Sequence, residues 1–416
     1  MKSFVIDKRL VLEAWKRVKR NRGSAGVDGV ELEDFEANLK DNLYKVWNRM
    51  SSGSYMPPPV KIVEIPKADG QTRQLGIPTV ADRVAQMVVK MLLEPELDPI
   101  FHEDSYGYRL GKSAHAALTV TRERCWRFNW VIDMDIKGFF DNLKHDLVMK
   151  AVRKHCDQRW MQIFIQRWLE APTQDDSGVG PKRTKGTPQG GVISPLLANL
   201  FMHYAFDSFM EQQFASVPFE RYADDVVVHC VSKAQAEYVL SAIQSRMRDC
   251  GLALHPVKTK IVYCQDGKRR ESYENTTFDF LGYTFSKRMA KGSCGVFLSF
   301  LPSASDKATK RIREEIRSWR IFSKTHISIN DIAKCINSKV RGWINYYGKF
   351  YGSRFTRKAI NMIARGLERW TMRKYKSLKR RPKRARFWLK QMRIRDPDLF
   401  SHWMMLGTSD GATRAV

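Results

Sequence analysis

Paired cysteines are missing from this chain. Its seven cysteines (Cys125, Cys156, Cys230, Cys250, Cys264, Cys294, Cys335) are scattered and never spaced Cys-x-x-Cys. This argues against a disulfide framework or a structural zinc site, and most are expected to be small buried thiols in a reducing compartment. No apolar run approaches a membrane span, and the opening "MKSFVIDKRLVLEAW" has no core of signal-peptide length. A soluble, intracellular protein with no membrane partner is the expectation. No fixed-period repeat appears. Acidic residues are scarce: 44 Asp and Glu stand against 72 Lys and Arg, a net charge of +28 and a pI near 9.9. Residues 371–395 hold twelve Lys and Arg and no acid at all. A surplus of this size calls for a polyanion, and nucleic acid is the first candidate.

What is present is enough for a folded protein of two or three domains: 416 residues, 43% of them hydrophobic. Val11, Trp15 and Val18 mark an amphipathic helix that ends in "NRGSAGVDG". The stretch 60–78 reads as two strands around Ala68-Asp69-Gly70, and 80–96 as a helix. In "VIDMDI" (131–136), Ile132, Met134 and Ile136 face one way and Asp133 and Asp135 the other. A glycine-rich loop then leads into a helix with Ser194 at the N-cap, Pro195 in the first helical position, and Leu197, Leu200, Phe201 and Tyr204 as its apolar stripe. After about 300 the pattern is helical and basic, with Ile312, Ile316 and Trp319 on one face of a helix bearing Arg311, Arg313, Arg317 and Arg320. Strands mixed with helices up to about 285, then helices alone, predict an α/β part followed by a helical domain.

Two adjacent aspartates stand out in "FERYADDVVVHC" (219–230). Asp is a common turn residue, so Asp224-Asp225 alone reads as a hairpin loop. Two like charges side by side nevertheless need neutralising, and a divalent cation with a preference for oxygen ligands does this. Asp135, at the end of a strand, supplies a third carboxylate. Such a trio suits two metal ions roughly 3.5–4 Å apart and phosphoryl transfer on nucleic acid.

"YADD" (222–225), after "DIKGFFD" (135–141) and before "FLGY" (280–283), resembles a reverse transcriptase palm. "GTPQGGVISPLLANL" (186–200), "NRGSAGVDGV" (21–30), "IPKADGQTRQLGIPTVADRVAQ" (65–86), "DSYGYRLGKSAHAAL" (104–118) and "RGWINYYGKF" (341–350) narrow the resemblance to the reverse transcriptase/maturase family encoded by group II introns. It implies an α/β right-hand polymerase, with reverse transcriptase fingers and palm followed by an α-helical maturase-type thumb. The implied divisions are 1–60 (N-terminal extension and start of the fingers), 61–286 (fingers and palm), 300–370 (thumb) and 371–416 (basic tail). No zinc-type Cys pair follows the thumb, so the expectation is an endonuclease-lacking member.

The resemblance also implies roles. Asp135 and Asp224 would be the principal metal ligands, Asp225 the third acid, and the Ile136 carbonyl an auxiliary ligand. Two Mg²⁺ ions are the implied cofactor, with Mn²⁺ as a substitute. Lys67 and Arg73 would clamp the incoming triphosphate, against the plainer reading of exposed cations protecting a sheet edge. Gln189 would lie beside the nucleotide, with Gly190-Gly191 allowing close backbone approach. Phe140 would stack under the sugar and reject a 2′-hydroxyl, while Phe139 reads as core. Lys258 would assist pyrophosphate departure, or else be a solvated strand end. "FLGY" would grip the primer, and apolar packing is the plainer reading, which can hold at the same time.

In "RGWINYYGKFYGSRF", Trp343, Tyr346, Tyr347 and Phe350 fit core packing better than base stacking, which leaves the cations for RNA. Arg341, Lys349, Arg373, Lys374, Lys376, Lys379, Arg380 and Arg381 are the candidate RNA contacts. The implied partners are group II intron RNA or another RNA template, a DNA primer or target, and dNTPs; nothing speaks to oligomeric state. The leading reading is an RNA-directed DNA polymerase that also assists splicing and mobility of its intron. A host-adopted polymerase in repair or phage defence shares the chemistry. A non-enzymatic splicing factor is disfavoured by the intact acid trio.

Overall fold

The computed structural model describes residues 4–66, 72–292 and 295–406. Lys67, the Ala68-Asp69-Gly70 turn and Cys294 lie outside the described residues. Helices alternate with the strands β1 (Val60–Pro66), β2 (Thr72–Ile77), β3 (Trp130–Met134), β4 (Thr173–Asp175), β5 (Gly178–Val179), β6 (Phe219–Tyr222), β7 (Asp225–Cys230), β8 (Lys260–Tyr263), β9 (Phe278–Phe280), β10 (Tyr283–Gly292) and β11 (Gly295–Ala304). They form sheets in the orders β2-β1-β4-β5, β6-β7-β3-β8 and β11-β10-β9. This is the mixed α/β class read from the sequence. Among the described residues no helix is long and apolar enough to cross a membrane. Cys125, Cys156, Cys230, Cys250 and Cys264 are buried thiols, and Cys335 is exposed.

The chain divides into two compact units, one of Met1–Ala117, Met134–Val228 and Glu237–Thr259, the other of Leu118–Asp133, His229–Ala236 and Lys260–Val416. In the first, Val11, Ala14, Trp15 and Val18 are the buried face of the helix Lys8–Asn21, which packs on the helix Val80–Leu97. The latter carries a buried acid, Asp82, which accepts hydrogen bonds from Tyr55 Oη, Trp168 Nε1 and Gln86 Nε2 at 2.7, 2.7 and 2.9 Å. Burial raises its carboxyl pKa against the pull of those donors. Gln86 Oε1 accepts from Ile193 N at 3.2 Å, tying this helix to the glycine-rich loop. The helix after that loop spans Ser194–Met202 with Ile193 at its N-cap, so Ser194 and Pro195 sit one position further in than the pattern placed them. The reason is local. Ser194 Oγ is engaged with Thr187 Oγ1 at 2.8 Å and does not cap. The helix is buried on nearly every face, so its stripe of Leu197, Leu200 and Phe201 is only part of its contact surface, and half-buried Tyr204 falls in the π turn His203–Asp207.

In the second unit, β10 and β11 pair antiparallel along their whole length, from Tyr283↔Ala304 to Gly292↔Gly295. Strand structure thus runs to Ala304, past the boundary near 285 read from the sequence. The outer half of this hairpin exposes Met289, Val296, Phe297 and Leu298, so no alternation marked it. Phe278 stacks on Phe285 at 4.7 Å. In "FLGY", Phe280 and Tyr283 are buried, and Leu281 and Gly282 make the turn with φ of 49° and 76°. The apolar packing reading of this stretch holds. Beyond it, Ser305 caps the helix Asp306–Ser318 and a Ser328/Asp331 capping box starts Ile329–Tyr347. Ile312 and Ile316 are buried, and Trp319 stacks flat on Trp343 at 5.6 Å. Tyr347 and Phe350 are buried, Trp343 and Tyr346 half-buried.

Candidate active site

Strands β6 and β7 pair from Phe219↔Val228 to Tyr222↔Asp225, which leaves Ala223 and Asp224 as a two-residue turn. Ala223 has φ of 60°, a conformation that costs a residue with a Cβ and needs support from its surroundings. Arg221 gives that support from complete burial. Its Nη1 donates to Ala223 O at 3.2 Å and to Asn199 Oδ1 at 3.0 Å. Its other edge grips the equally buried Asp207, at 2.7 Å from Nε and 2.6 Å from Nη2. Gly107 lies against the same turn, where a Cβ would come within 2.5 Å of Ala223 N.

Arg221, Asp207, Asn199 and Gly107 escaped the sequence reading. They are scattered over more than a hundred positions, and the only available hint was a glycine between two tyrosines in "YGYRLG". Arg221→Met is expected to destabilise the protein by about 3–5 kcal/mol, because Asp207 is left buried and unpaired. Arg221→Met/Asp207→Leu should recover part of the lost thermal midpoint. A single variant that melts like the wild type would show that the pair does not hold the turn.

Asp135 directly follows β3. The antiparallel bridge Ile136↔Leu254 holds it, through Lys137 N to Ala253 O at 2.9 Å and His255 N to Asp135 O at 2.8 Å. Ile136's own carbonyl takes part in neither of those two bonds. The same segment places Lys258, with Nζ 3.4 Å from Asp135 Oδ2. Asp133, on the same strand face as Asp135, is half-buried.

The glycine-rich loop is fastened at both ends by backbone. Gly186 N donates to Leu143 O at 2.7 Å and Thr187 N to Phe140 O at 2.8 Å; further on, Gly76 N of β2 donates to Gln189 O at 2.7 Å. Gly190, with φ of 124°, comes so close to β2 that a Cβ would lie 2.4 Å from Gly76 O. The close approach foreseen for Gly190 is therefore made by a strand of the same unit. Arg73 Nε donates to Gln189 Oε1 at 2.5 Å, and Gln189 Nε2 reaches Asp141 Oδ1 at 3.5 Å. Phe140 is 7% exposed and packs edge-on against Phe139 at 5.2 Å, so it is as much a core residue as its neighbour.

Charge completes the picture. Asp225 keeps an exposed side, yet crowding by the surrounding chain and the charges of Asp224 and Asp135 push its carboxyl up to about 7, with Lys258 opposing. Asp224 is raised mainly by burial and by Asp135, with Arg73 opposing. Tyr108, a residue the sequence reading did not single out, lies in the same field: burial and Asp224 raise its phenol, and Arg73 lowers it. Among the described residues no three His, Cys, Asp or Glu side chains close around a common point. The trio stands open, but Asp135 is near enough to raise the carboxyls of both Asp224 and Asp225, and Asp224 raises that of Asp225. Hard carboxylate oxygens whose mutual repulsion Lys258 and Arg73 offset only in part fit a magnesium-type cation.

Of the candidate RNA contacts, Arg341, Lys349, Arg373, Lys376, Lys379, Arg380 and Arg381 are exposed. Lys374 is occupied: its ammonium donates to Thr325 O and Ile327 O at 2.8 and 2.7 Å and lies over Trp370.

Residues 65–285, more than half of the chain, match the family described as reverse transcriptase (RNA-dependent DNA polymerase). Residues 309–388 match the group II intron, maturase-specific domain. The chain is similar to Protein YkfC of Escherichia coli (strain K12), 31% identical over 304 residues, which cover 64% of this chain and 77% of that protein. It is also similar to Group II intron-encoded protein LtrA of Lactococcus lactis subsp. cremoris, 32% identical over 200 residues covering 48% of this chain and 33% of LtrA. A third relative, the Uncharacterized 91 kDa protein in cob intron of Schizosaccharomyces pombe, is 25% identical over 413 residues, 83% of this chain and 50% of its own length. The chain thus spans three quarters of the first of these relatives but a third to a half of the other two.

Proposed function

The chain belongs to the group II intron-encoded reverse transcriptase/maturase family, and from that premise we propose that it copies RNA into DNA by two-metal phosphoryl transfer and binds intron RNA to assist splicing and mobility. In this reading 61–286 are the fingers and palm, 300–370 the thumb and 371–416 a basic tail. The observation that carries it is the electrostatic coupling of Asp135, Asp224 and Asp225 inside the reverse transcriptase match: without closing around one point, Asp135 acts on both other carboxyls and Asp224 on Asp225.

Reverse transcriptase domains generally use divalent metal ions. Asp135, Asp224 and Asp225, with the Ile136 carbonyl, would hold Mg²⁺, or Mn²⁺ in its place. The bound ions supply a lowered pKa for the attacking 3′-hydroxyl and stabilise charge on the leaving oxygen. The chain's own residues do the rest. The Arg221–Asp207 pair fixes the turn, so the carboxylates are held on a rigid support before substrate arrives. Arg73, oriented by Gln189, presents a guanidinium to the triphosphate of the incoming dNTP. Lys258 exchanges its contact with Asp135 for the departing pyrophosphate. Primer extension on an RNA template with dNTPs and Mg²⁺ tests the proposal directly. A folded, RNA-binding protein that extends nothing would leave the splicing factor as the better reading.

Phe140 is the sugar gate in this scheme. Discrimination against a single added hydroxyl by an apolar wall reaches about 10²-fold. Phe140→Val is therefore expected to raise ribonucleotide incorporation relative to deoxyribonucleotide by about 10-fold or more. A wild type that uses both equally, or a variant with unchanged preference, would remove Phe140 from the site.

A further inference from the structure

Away from the carboxylates, a cavity of 740 Å³ opens in the second unit, lined by Arg313, Arg317, Arg357, Lys358, Arg365 and Arg369 among others. Arg313 and Arg317 are one turn apart on the helix Asp306–Ser318, and Arg365 and Arg369 one turn apart on Asn361–Lys374. The π turn Thr356–Ile360 contributes Arg357 and Lys358. Like charges at this helical spacing destabilise a helix, and here two such pairs converge on one concavity.

Little in the protein offsets them. The one acid of the lining, Glu368, is held by Arg386 at 3.0 Å, and Lys358 pairs with Asp306. Among the described residues, no carboxylate stands within ion-pair distance of Arg313, Arg317, Arg357 or Arg365. A smaller cavity of 220 Å³ shares Arg317 and Arg369 and adds Arg320 and Arg373. Cations on an ordinary solvated helix face splay outward. Guanidinium forks gathered into a hollow match several phosphate oxygens at once.

We propose that this cavity binds two or more phosphates held close together, the chemistry of a sharply turned RNA backbone or of a free triphosphate. The inference rests on the reading of the chain as an RNA-binding protein and adds a preference, for folded over linear RNA. A straight duplex presents its phosphates along a convex rod, which a concave pocket meets at few points. A turn in the backbone brings several phosphates into one small volume.

The test uses the full chain with three probes: inorganic tripolyphosphate, a fluorescent three-way-junction RNA, and a linear RNA duplex of the same nucleotide count. Arg317→Gln/Arg369→Gln is expected to weaken junction binding by roughly 10-fold or more and duplex binding by no more than about threefold. Arg317→Lys/Arg369→Lys, which keeps the charge but not the fork, should fall between wild type and the glutamine pair. Tripolyphosphate binding that the glutamine pair loses would support a free polyphosphate as a ligand. No tripolyphosphate binding, together with lost junction preference, would support the RNA backbone alone. Equal losses on both RNAs, or none, in variants with wild-type circular dichroism would overturn the proposal. A wild type that binds neither RNA would instead remove the RNA-binding reading beneath it.

Discussion

Asp224→Ala is expected to lower DNA synthesis on an RNA template by at least about 10³-fold, since it removes a ligand from a site whose metal supplies several kcal/mol of charge stabilisation. RNA affinity should stay within about twofold, because sites without shared partners behave independently. The substitution is informative because it is local. Arg221 bonds the carbonyl of Ala223 and not the Asp224 side chain, so the Arg221–Asp207 support survives. Removing one of three mutually repelling carboxylates also relieves Asp225, whose pKa Asp224 raises. A thermal midpoint at or above wild type, with synthesis gone, is therefore the predicted pair of results. Retained extension would place the catalytic acids elsewhere. Synthesis lost together with a fall in thermal midpoint would mean the turn had collapsed. Splicing assistance lost in proportion to synthesis, at unchanged RNA affinity, would argue against two separable functions.

The parts of this site that could be read from the sequence are those set by short-range pattern. The alternation in "VIDMDI" put Ile132, Met134 and Ile136 inside and Asp133 and Asp135 on the other face, and burial follows it, although Val131 is buried too. The Asp224-Asp225 turn was legible because its flanking strands are strongly β-forming. What was not legible depends on the tertiary fold. The Arg221–Asp207 pair spans fourteen positions and two elements, and an arginine in "FERY" looks like any exposed cation until its burial is known. Gly190 read as room for a ligand, yet its close neighbour is Gly76 of β2. Lys374 was indistinguishable in sequence from the cations around it, and only the fold shows it tied to Thr325 and Ile327. Composition marks a basic surface well; it does not say which cations are free.

That difference decides the second large effect. A protein that neutralises ~6–10 RNA phosphates loses about 10³–10⁵-fold in affinity between roughly 50 and 200 mM salt, through release of counterions. A net charge of +28 makes such a loss expected here, but net charge alone does not locate it. Lys379, Arg380 and Arg381 form an exposed run just before the helix Pro382–Arg395. In Lys379→Gln/Arg380→Gln/Arg381→Gln, the slope of log affinity against log salt should flatten by about 2–3, since each phosphate contact contributes roughly 0.7–0.9. Lys374→Gln should leave the slope unchanged, because that ammonium is already spent on two carbonyls, and should lower the thermal midpoint instead. An unchanged slope in the triple variant would make the run a solvated face that repels its own charges and touches no RNA. The polyanion would then have to lie against the cations further back in the chain, Arg341 and Lys349 among them.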